Sequence, residues 1–253
     1  MKILLILIIL IILFLKRKDI VYYIDVFKSN FLNKKVNLSN SFNLKRKICI
    51  LSMEDRDLEY IQLHRKSFQN YANLHNYQFF FEKPCKSLPI YYCKFKRILE
   101  LMETTDCEYY TWIDSDAIIN KRFKSFPLES MIEQIGTDTD VITAYFREPF
   151  SFLKFLIGSF YMFKKSNKTK KLLQDCIDYI DFSKWKNLKK GDCNYGGYCY
   201  EEAALFYALK KSNVVHRRIK GNFISNSFLC ENKFFINHLL GKKDINKCFK
   251  SMI

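Results

Sequence analysis

Proline and glycine are scarce, with 4 Pro and 7 Gly in 253 residues. That scarcity excludes a collagen-like chain and argues against a repeat or linker-rich protein. Acidic residues are also in deficit, with Asp+Glu at 26 against Lys+Arg at 42, a net charge of +16. Such an excess suits anionic partners: nucleic acid, phosphorylated ligands or an acidic membrane surface. No long basic arm concentrates it, and an Asn-, Lys-, Ile- and Phe-rich composition supplies part of it. The nine cysteines contain no C-x-x-C pair and no zinc-ligand spacing, which excludes a zinc framework. Cys193 and Cys199 flank a Gly-Gly pair and could bridge. Mostly buried thiols are the expectation, and the redox compartment stays open.

What is present points to a folded enzyme-sized domain. Hydrophobic residues make up 49% and aromatic residues 17%, enough for one good-sized core. Residues Ile3 to Leu15 form thirteen uninterrupted apolar residues, bounded by Lys2 and by Lys16-Arg17-Lys18. As a helix they would span roughly 20 Å, short of a hydrocarbon core of about 30 Å. No small-x-small cleavage site follows, so a short uncleaved signal-anchor over 1–18 is expected, with the flanking cations snorkelling. The chain would then be a single-pass membrane protein. The heavier positive cluster follows the helix, which by the positive-inside rule faces the remainder to the cytoplasm. A Golgi- or ER-type enzyme needs the opposite, and the orientation stays open. Residues 19–46, polar and weakly patterned, read as a stem, and 47–253 as the catalytic domain.

From Ile48 the chain alternates strand-like and helix-like segments. "ICILSM", "YQFFFEK", "CEYYTWIDSD", "DVITAYF" and "GSFYMFKKS" read as strands. The stretch Asp57 to Tyr77 has Leu58, Ile61, Phe68, Tyr71, Ala72 and Leu74 on or near one helical face. "YCKFKRILELMETT", "NKTKKLLQDCIDYI" and "YEEAALFYALKKS" read as further helices. This pattern predicts an α/β fold with a mainly parallel central sheet flanked by helices. His64 and His75 are expected on the surface of their helix.

The strand "YYTWI" runs directly into Asp114-Ser115-Asp116 and then into "AII". Carboxylates at the end of a buried strand need compensation, by an ordinary polar turn or by a cation. Ligands of open α/β sheets bind beyond the carboxyl ends of strands, which favours the cation. Two hard oxygen ligands suit Mg²⁺ or Mn²⁺. His238 follows the apolar run "FFIN", with Gly241 and Lys243 shortly after it. An imidazole ligand tilts the ion towards Mn²⁺. A glycine permits close backbone approach and a lysine supplies a point charge, both suited to a diphosphate.

These segments resemble the GT-A glycosyltransferases of the galactosyl/xylosyl/mannosyl type, family 34 of the glycosyltransferases. "YYCKFKRILELMETTDCEYYTWIDSDAII" is similar to their aromatic-x-Lys helix followed by a strand ending in Asp-Ser-Asp-Ala. "INHLLGKK" resembles their C-terminal His-aromatic-x-Gly-x-Lys element, with Leu239 in the aromatic position. "IGSFYMFKKSNKTKKLL" and "YEEAALFYAL" resemble the elements between. The resemblance implies a Rossmann-like GT-A fold and a nucleotide-diphosphate sugar donor. Asp114, Asp116 and His238 would be metal ligands. Gly241 and Lys243 would lie on the diphosphate, Lys94 on the nucleotide side, and Ser115 towards the ribose. Gly158 and Ser159 would line the sugar or acceptor cleft. Glu201 and Glu202 would supply the carboxylate near the reacting carbon, where the family usually carries Asp then Gln.

The expected activity is therefore metal-dependent transfer of a hexose or pentose to a glycan or glycoprotein acceptor, with retention of configuration. No nucleic acid is expected as a partner. The alternative is a basic, membrane-tethered protein that binds or acts on nucleic acid, with a structural or two-metal Asp pair. For Glu201 and Glu202 the plain alternative is a solvated helix start, where acidic residues suit the helix dipole.

Overall fold

A computed structural model describes residues 32–42, 44–147, 154–179, 201–220, 223–226, 233–238 and 245–252. The apolar run Ile3 to Leu15, the Cys193/Cys199 pair, Gly241 and Lys243 lie outside the described residues. Among the described residues, no helix is long and apolar enough to cross a membrane.

The strands are β1 (Leu32–Lys35), β2 (Ile48–Met53), β3 (Gln78–Glu82), β4 (Tyr109–Ile113), β5 (Ala117–Ile119), β6 (Val141–Arg147), β7 (Lys154–Lys164), β8 (His216–Lys220), β9 (Ile224–Asn226) and β10 (Ile236–His238). The helices are α1 (Glu59–His75), α2 (Cys93–Thr104), α3 (Leu128–Ile135), α4 (Asn167–Asp178), α5 (Glu201–Lys211) and α6 (Ile245–Met252). Seven strands form the main sheet in the order β1-β8-β6-β7-β4-β2-β3. Every neighbouring pair is parallel except those of β7, which runs antiparallel to both β4 and β6. The mainly parallel α/β expectation holds with that one reversal. β6 and β7 are joined by a connection too short for a crossover helix, so they pair antiparallel.

β2 and β4 are buried along their whole length, as strands covered on both faces must be. Side chains alternate between two cores. Cys49, Leu51, Met53, Tyr110 and Trp112 face the layer of α2, α4 and α5. Ile48, Ile50, Tyr109 and Ile113 face the layer of α1 and α3. A small second sheet, β5-β10-β9, sits beyond the end of β4.

Two expectations need correction. Residues 32–36 are not stem: β1 pairs in parallel with β8, and Val36 is buried in the core. The strand was hidden because a short, lysine-bearing edge strand lacks strong alternation. The cysteines are not mostly free thiols either. Cys49 bridges Cys107 and Cys85 bridges Cys93, and Cys248 is disulfide-bonded as well. Cys176 is free and buried. Cys49 and Cys107 approach through the parallel pairing of β2 with β4, which no spacing reveals, whereas Cys85 and Cys93 are only eight residues apart, between the end of β3 and the start of α2.

The Cys49–Cys107 bridge closes a loop with a sequence separation of 58. A loop of that size restricts the unfolded chain, and removing it is expected to cost about 2–4 kcal/mol. Urea unfolding checks this. The Cys49→Ala/Cys107→Ala variant should unfold at lower urea than the oxidised wild type. Equal midpoints would show that the bridge adds nothing.

Candidate active site

β4 ends at Ile113, and a tight turn then carries Asp114, Ser115 and Asp116 into β5. The Ala117 N–H donates to the Asp114 carbonyl at 3.1 Å, closing the turn. The Asp114 N–H donates to the Ser159 carbonyl on β7 at 3.2 Å. β5 then pairs antiparallel with β10, with Ala117 opposite His238. This three-residue ladder brings a histidine from near the C-terminus onto the turn. His238 Nε2 lies 3.0 Å from Asp116 Oδ1 and 3.7 Å from Asp114 Oδ2. One ligand atom from each of the three residues lies within 4.8 Å of the others. Two carboxylate oxygens and an imidazole nitrogen form a donor set that fits Mn²⁺ or Mg²⁺ with coordination positions to spare.

Each group is held in place. Trp112 Nε1 donates to Asp114 Oδ1 at 2.6 Å, and Lys94 Nζ donates to the same oxygen at 3.4 Å. Asp114 Oδ1 thus serves the protein while Oδ2 faces His238. Burial pushes the Asp116 carboxyl up, but the neighbouring His238 outweighs it and holds Asp116 below the usual range. His238 is held above the ordinary imidazole value, because Asp116 outweighs the burial that pushes it down.

Lys94, on the first turn of α2, is 3% exposed. Its ammonium donates to Glu201 Oε1 at 2.5 Å and to the Gly158 carbonyl at 3.0 Å. It also lies 4.7 Å from the centre of the Trp112 ring. Burial opposes the charge, yet Asp114 and Glu201 outweigh it and keep the ammonium protonated. Lys94 therefore links the Asp114 end of the site to Glu201. Glu201 and Glu202 open α5, but Glu201 is buried, so the solvated-helix-start alternative fails for it. Glu201 Oε2 and Glu202 Oε2 are buried without a hydrogen-bond partner. Burial, and then the charge of Glu201, push the Glu202 carboxyl well above its ordinary range. A side chain at Gly158 would meet Glu201 Oε1 at 2.6 Å and Glu202 Oε1 at 2.7 Å. The absence of one lets both carboxylates close onto β7. Ser159 is buried beside it, its hydroxyl without a partner.

Ser115 donates its hydroxyl to Glu54 Oε2 at 2.9 Å. Glu54, at the end of β2, also accepts from the backbone N–H of Asp55 and Arg56 and from the Arg56 guanidinium. Burial pushes Glu54 up, but Arg56 and Ser115 outweigh it and hold the carboxyl at about 2. Sequence reading missed this residue, whose only signal is an acidic side chain directly after a buried strand. A folded value below the ordinary 4.5 means stability that is present above pH 4.5 and lost as pH falls to about 2. Arg56 is largely exposed and its attraction is screened by water. Glu54→Gln is therefore expected to cost only about 1–2 kcal/mol at pH 7. It should also flatten the acid limb of a Tm-against-pH curve. An unchanged acid limb would refute the network.

His64 is fully buried, contrary to the surface placement expected for it. It sits on the buried stripe Ile61, His64, Phe68 and Tyr71 of α1, a helical spacing that could have marked it. His75 is half-buried, and its Nε2 lies 2.8 Å from the Lys124 carbonyl.

Residues 44–142 match the model of the galactosyl transferase GMA12/MNN10 family. A glycosyltransferase involved in the glycosylation of the major capsid of PBCV-1 is similar in structure, with TM-score 0.63 and 16% identity over 81% of this chain and 98% of that one. The glycosyltransferase GlyE of Streptococcus pneumoniae TIGR4 gives TM-score 0.51 and 12% identity over 82% of this chain and 60% of that one. A search of curated proteins finds no match. The structural likenesses show the fold, that of GT-A glycosyltransferases. The family match and the fold together support a glycosyltransferase.

Proposed function

We propose, from the premise that this GT-A-fold chain carries the GMA12/MNN10 galactosyltransferase pattern over residues 44–142, that it transfers a sugar from a nucleoside diphosphate sugar to a glycan or glycoprotein acceptor. The observation that carries this reading is the grouping of Asp114, Asp116 and His238 at the carboxyl end of β4. Those residues would hold Mn²⁺ or Mg²⁺. A divalent ion there supplies charge neutralisation for the departing diphosphate.

The chain's own residues do the rest. Trp112 and Lys94 fix Asp114, and the β5–β10 ladder fixes His238. Glu201 is the carboxylate that accepts from the Lys94 ammonium, 2.5 Å away, and Lys94 favours its charged form against the burial that pushes the carboxyl above its ordinary range. A charged carboxylate can stabilise positive character at the anomeric carbon, as in other glycosyl chemistry. Retention of configuration would require that support on the face of the sugar opposite the leaving group. Burial, and then the charge of Glu201, push the Glu202 carboxyl well above its ordinary range, which makes Glu202 the poorer candidate for that charge. Ser115 is bound to Glu54 here, and its reach towards a ribose would require exchanging that bond. The disulfides Cys49–Cys107 and Cys85–Cys93 favour an oxidising compartment. That supports a lumenal rather than cytoplasm-facing domain behind a membrane anchor.

The test offers a panel of UDP- and GDP-sugars with Mn²⁺ to the full chain and follows nucleoside diphosphate release. The expected result is release from one donor class, lost in Glu201→Gln and largely kept in Glu202→Gln. Salt-sensitive nucleic-acid binding with no release from any donor would instead favour the alternative reading.

A further inference from the structure

The turn that carries Asp114 and Asp116 is bracketed by two carbonyls, Ile113 before it and Ala117 after it. Both are taken up by the same pair of buried side chains. His64 Nδ1 lies 2.6 Å from the Ala117 carbonyl. His64 Nε2 lies 2.9 Å from Ser52 Oγ, and Ser52 Oγ lies 2.8 Å from the Ile113 carbonyl. His64 comes from α1 and Ser52 from β2, and both are fully buried. A carbonyl can only accept, so Nδ1 carries the ring proton. Nε2 then accepts the Ser52 hydroxyl proton, or leaves it to the Ile113 carbonyl.

We infer that His64 and Ser52 are positioning residues that clamp both ends of the Asp114–Asp116 turn and so set the spacing of its carboxylates. The ring cannot drift, because it packs on Phe68 at 4.6 Å and Phe81 at 5.9 Å between centroids. The clamp is built from α1 and β2, elements that supply none of the proposed metal ligands. Its two links converge on the turn from the protein interior, while Ser115 is tied to Glu54 from a third direction. A turn anchored at both ends holds two carboxylates at a fixed separation, and a divalent ion demands that separation. The consequence for metal binding rests on the function proposed above; the clamp itself does not.

Two measurements on the full chain separate these claims. Hydrogen exchange of the peptide spanning residues 113–118 reads the clamp directly. His64→Leu and Ser52→Ala should both speed exchange of the Asp114 and Ala117 amides while the centre of α1 stays protected. His64→Asn keeps a donor near the Nδ1 position and should restore protection towards wild type. Mn²⁺ titration in the presence of UDP and of GDP reads the consequence. Loss of a supporting partner of this kind lowers metal affinity by about 10- to 100-fold, expected for His64→Leu and Ser52→Ala and smaller for His64→Asn. Ser52→Ala is nearly isosteric, so a general folding defect in His64→Leu does not block the test. Wild-type exchange at 113–118 in both Ser52→Ala and His64→Leu would overturn the inference. Wild-type protein that binds no Mn²⁺, with exchange still accelerated in the variants, would sink the metal reading and leave the clamp standing.

Discussion

Asp116→Ala is expected to abolish metal-dependent nucleotide binding and to cut sugar transfer by more than about 100-fold. Asp116 Oδ1 lies 3.0 Å from His238 Nε2 and is within 4.8 Å of the Asp114 ligand atom. Removing it leaves one carboxylate and one imidazole, too few protein ligands to hold a hard divalent ion firmly. A bound metal contributes several kcal/mol of transition-state stabilisation, and each 1.36 kcal/mol or so is tenfold in rate. The fold should survive, because Asp116 is partly exposed and no core packing depends on it. His238→Ala should weaken the metal similarly. Isothermal titration with Mn²⁺ and UDP or GDP checks both variants, and circular dichroism checks that they fold. Wild-type affinity in folded Asp116→Ala would remove the pair from the metal site.

Lys94→Met is expected to be the most destabilising single change near the site, at about 3–5 kcal/mol. The ammonium is buried between Glu201, 2.5 Å away, and Asp114, 3.4 Å away. Deleting one partner of a buried pair strands the other charge, a loss of this order. Glu201 is 2% exposed and has no water to fall back on. The double variant Lys94→Met/Glu201→Gln separates stability from function. Neutralising the stranded carboxylate should recover much of the lost stability, since the two residues are directly coupled. Activity should not return, because the Glu201 carboxyl is gone. Urea unfolding and donor turnover on the three proteins check this. Additive losses in stability would contradict a direct pair.

Much of this site was legible before the fold was known, for physical reasons. Asp114 and Asp116 stand out because carboxylates at the end of a fully apolar strand demand compensation. The helices and main strands follow from period, since burial on one helical face or on both sheet faces leaves a local pattern. His238 stood out only as a histidine after an apolar run with a glycine and a lysine beyond it, and the resemblance made it the third ligand. Its place depends on the β5–β10 ladder, a pairing across most of the chain that no local pattern encodes. The Cys49–Cys107 bridge was hidden for a similar reason, since the β2–β4 pairing brings its partners together. Helix α1 shows the limit of face-reading. Leu58 and Leu74 were placed on or near the apolar face, yet both are exposed, while His64 fills a buried position between Ile61 and Phe68. A polar residue on an apolar stripe is the signal there, and its partners, the Ala117 carbonyl and Ser52, belong to other strands. Glu54 was invisible in the same way, since its role is set by Ser115 and Arg56 meeting it in space.

The most direct measurement is binding of UDP and of GDP to the wild-type chain with and without Mn²⁺. The expected result is tight binding of one nucleotide that requires the metal and disappears with EDTA. That outcome would mean the two aspartates and the histidine hold a cation against a diphosphate. Metal-independent binding of equal strength, or none to either nucleotide in folded protein, would contradict it.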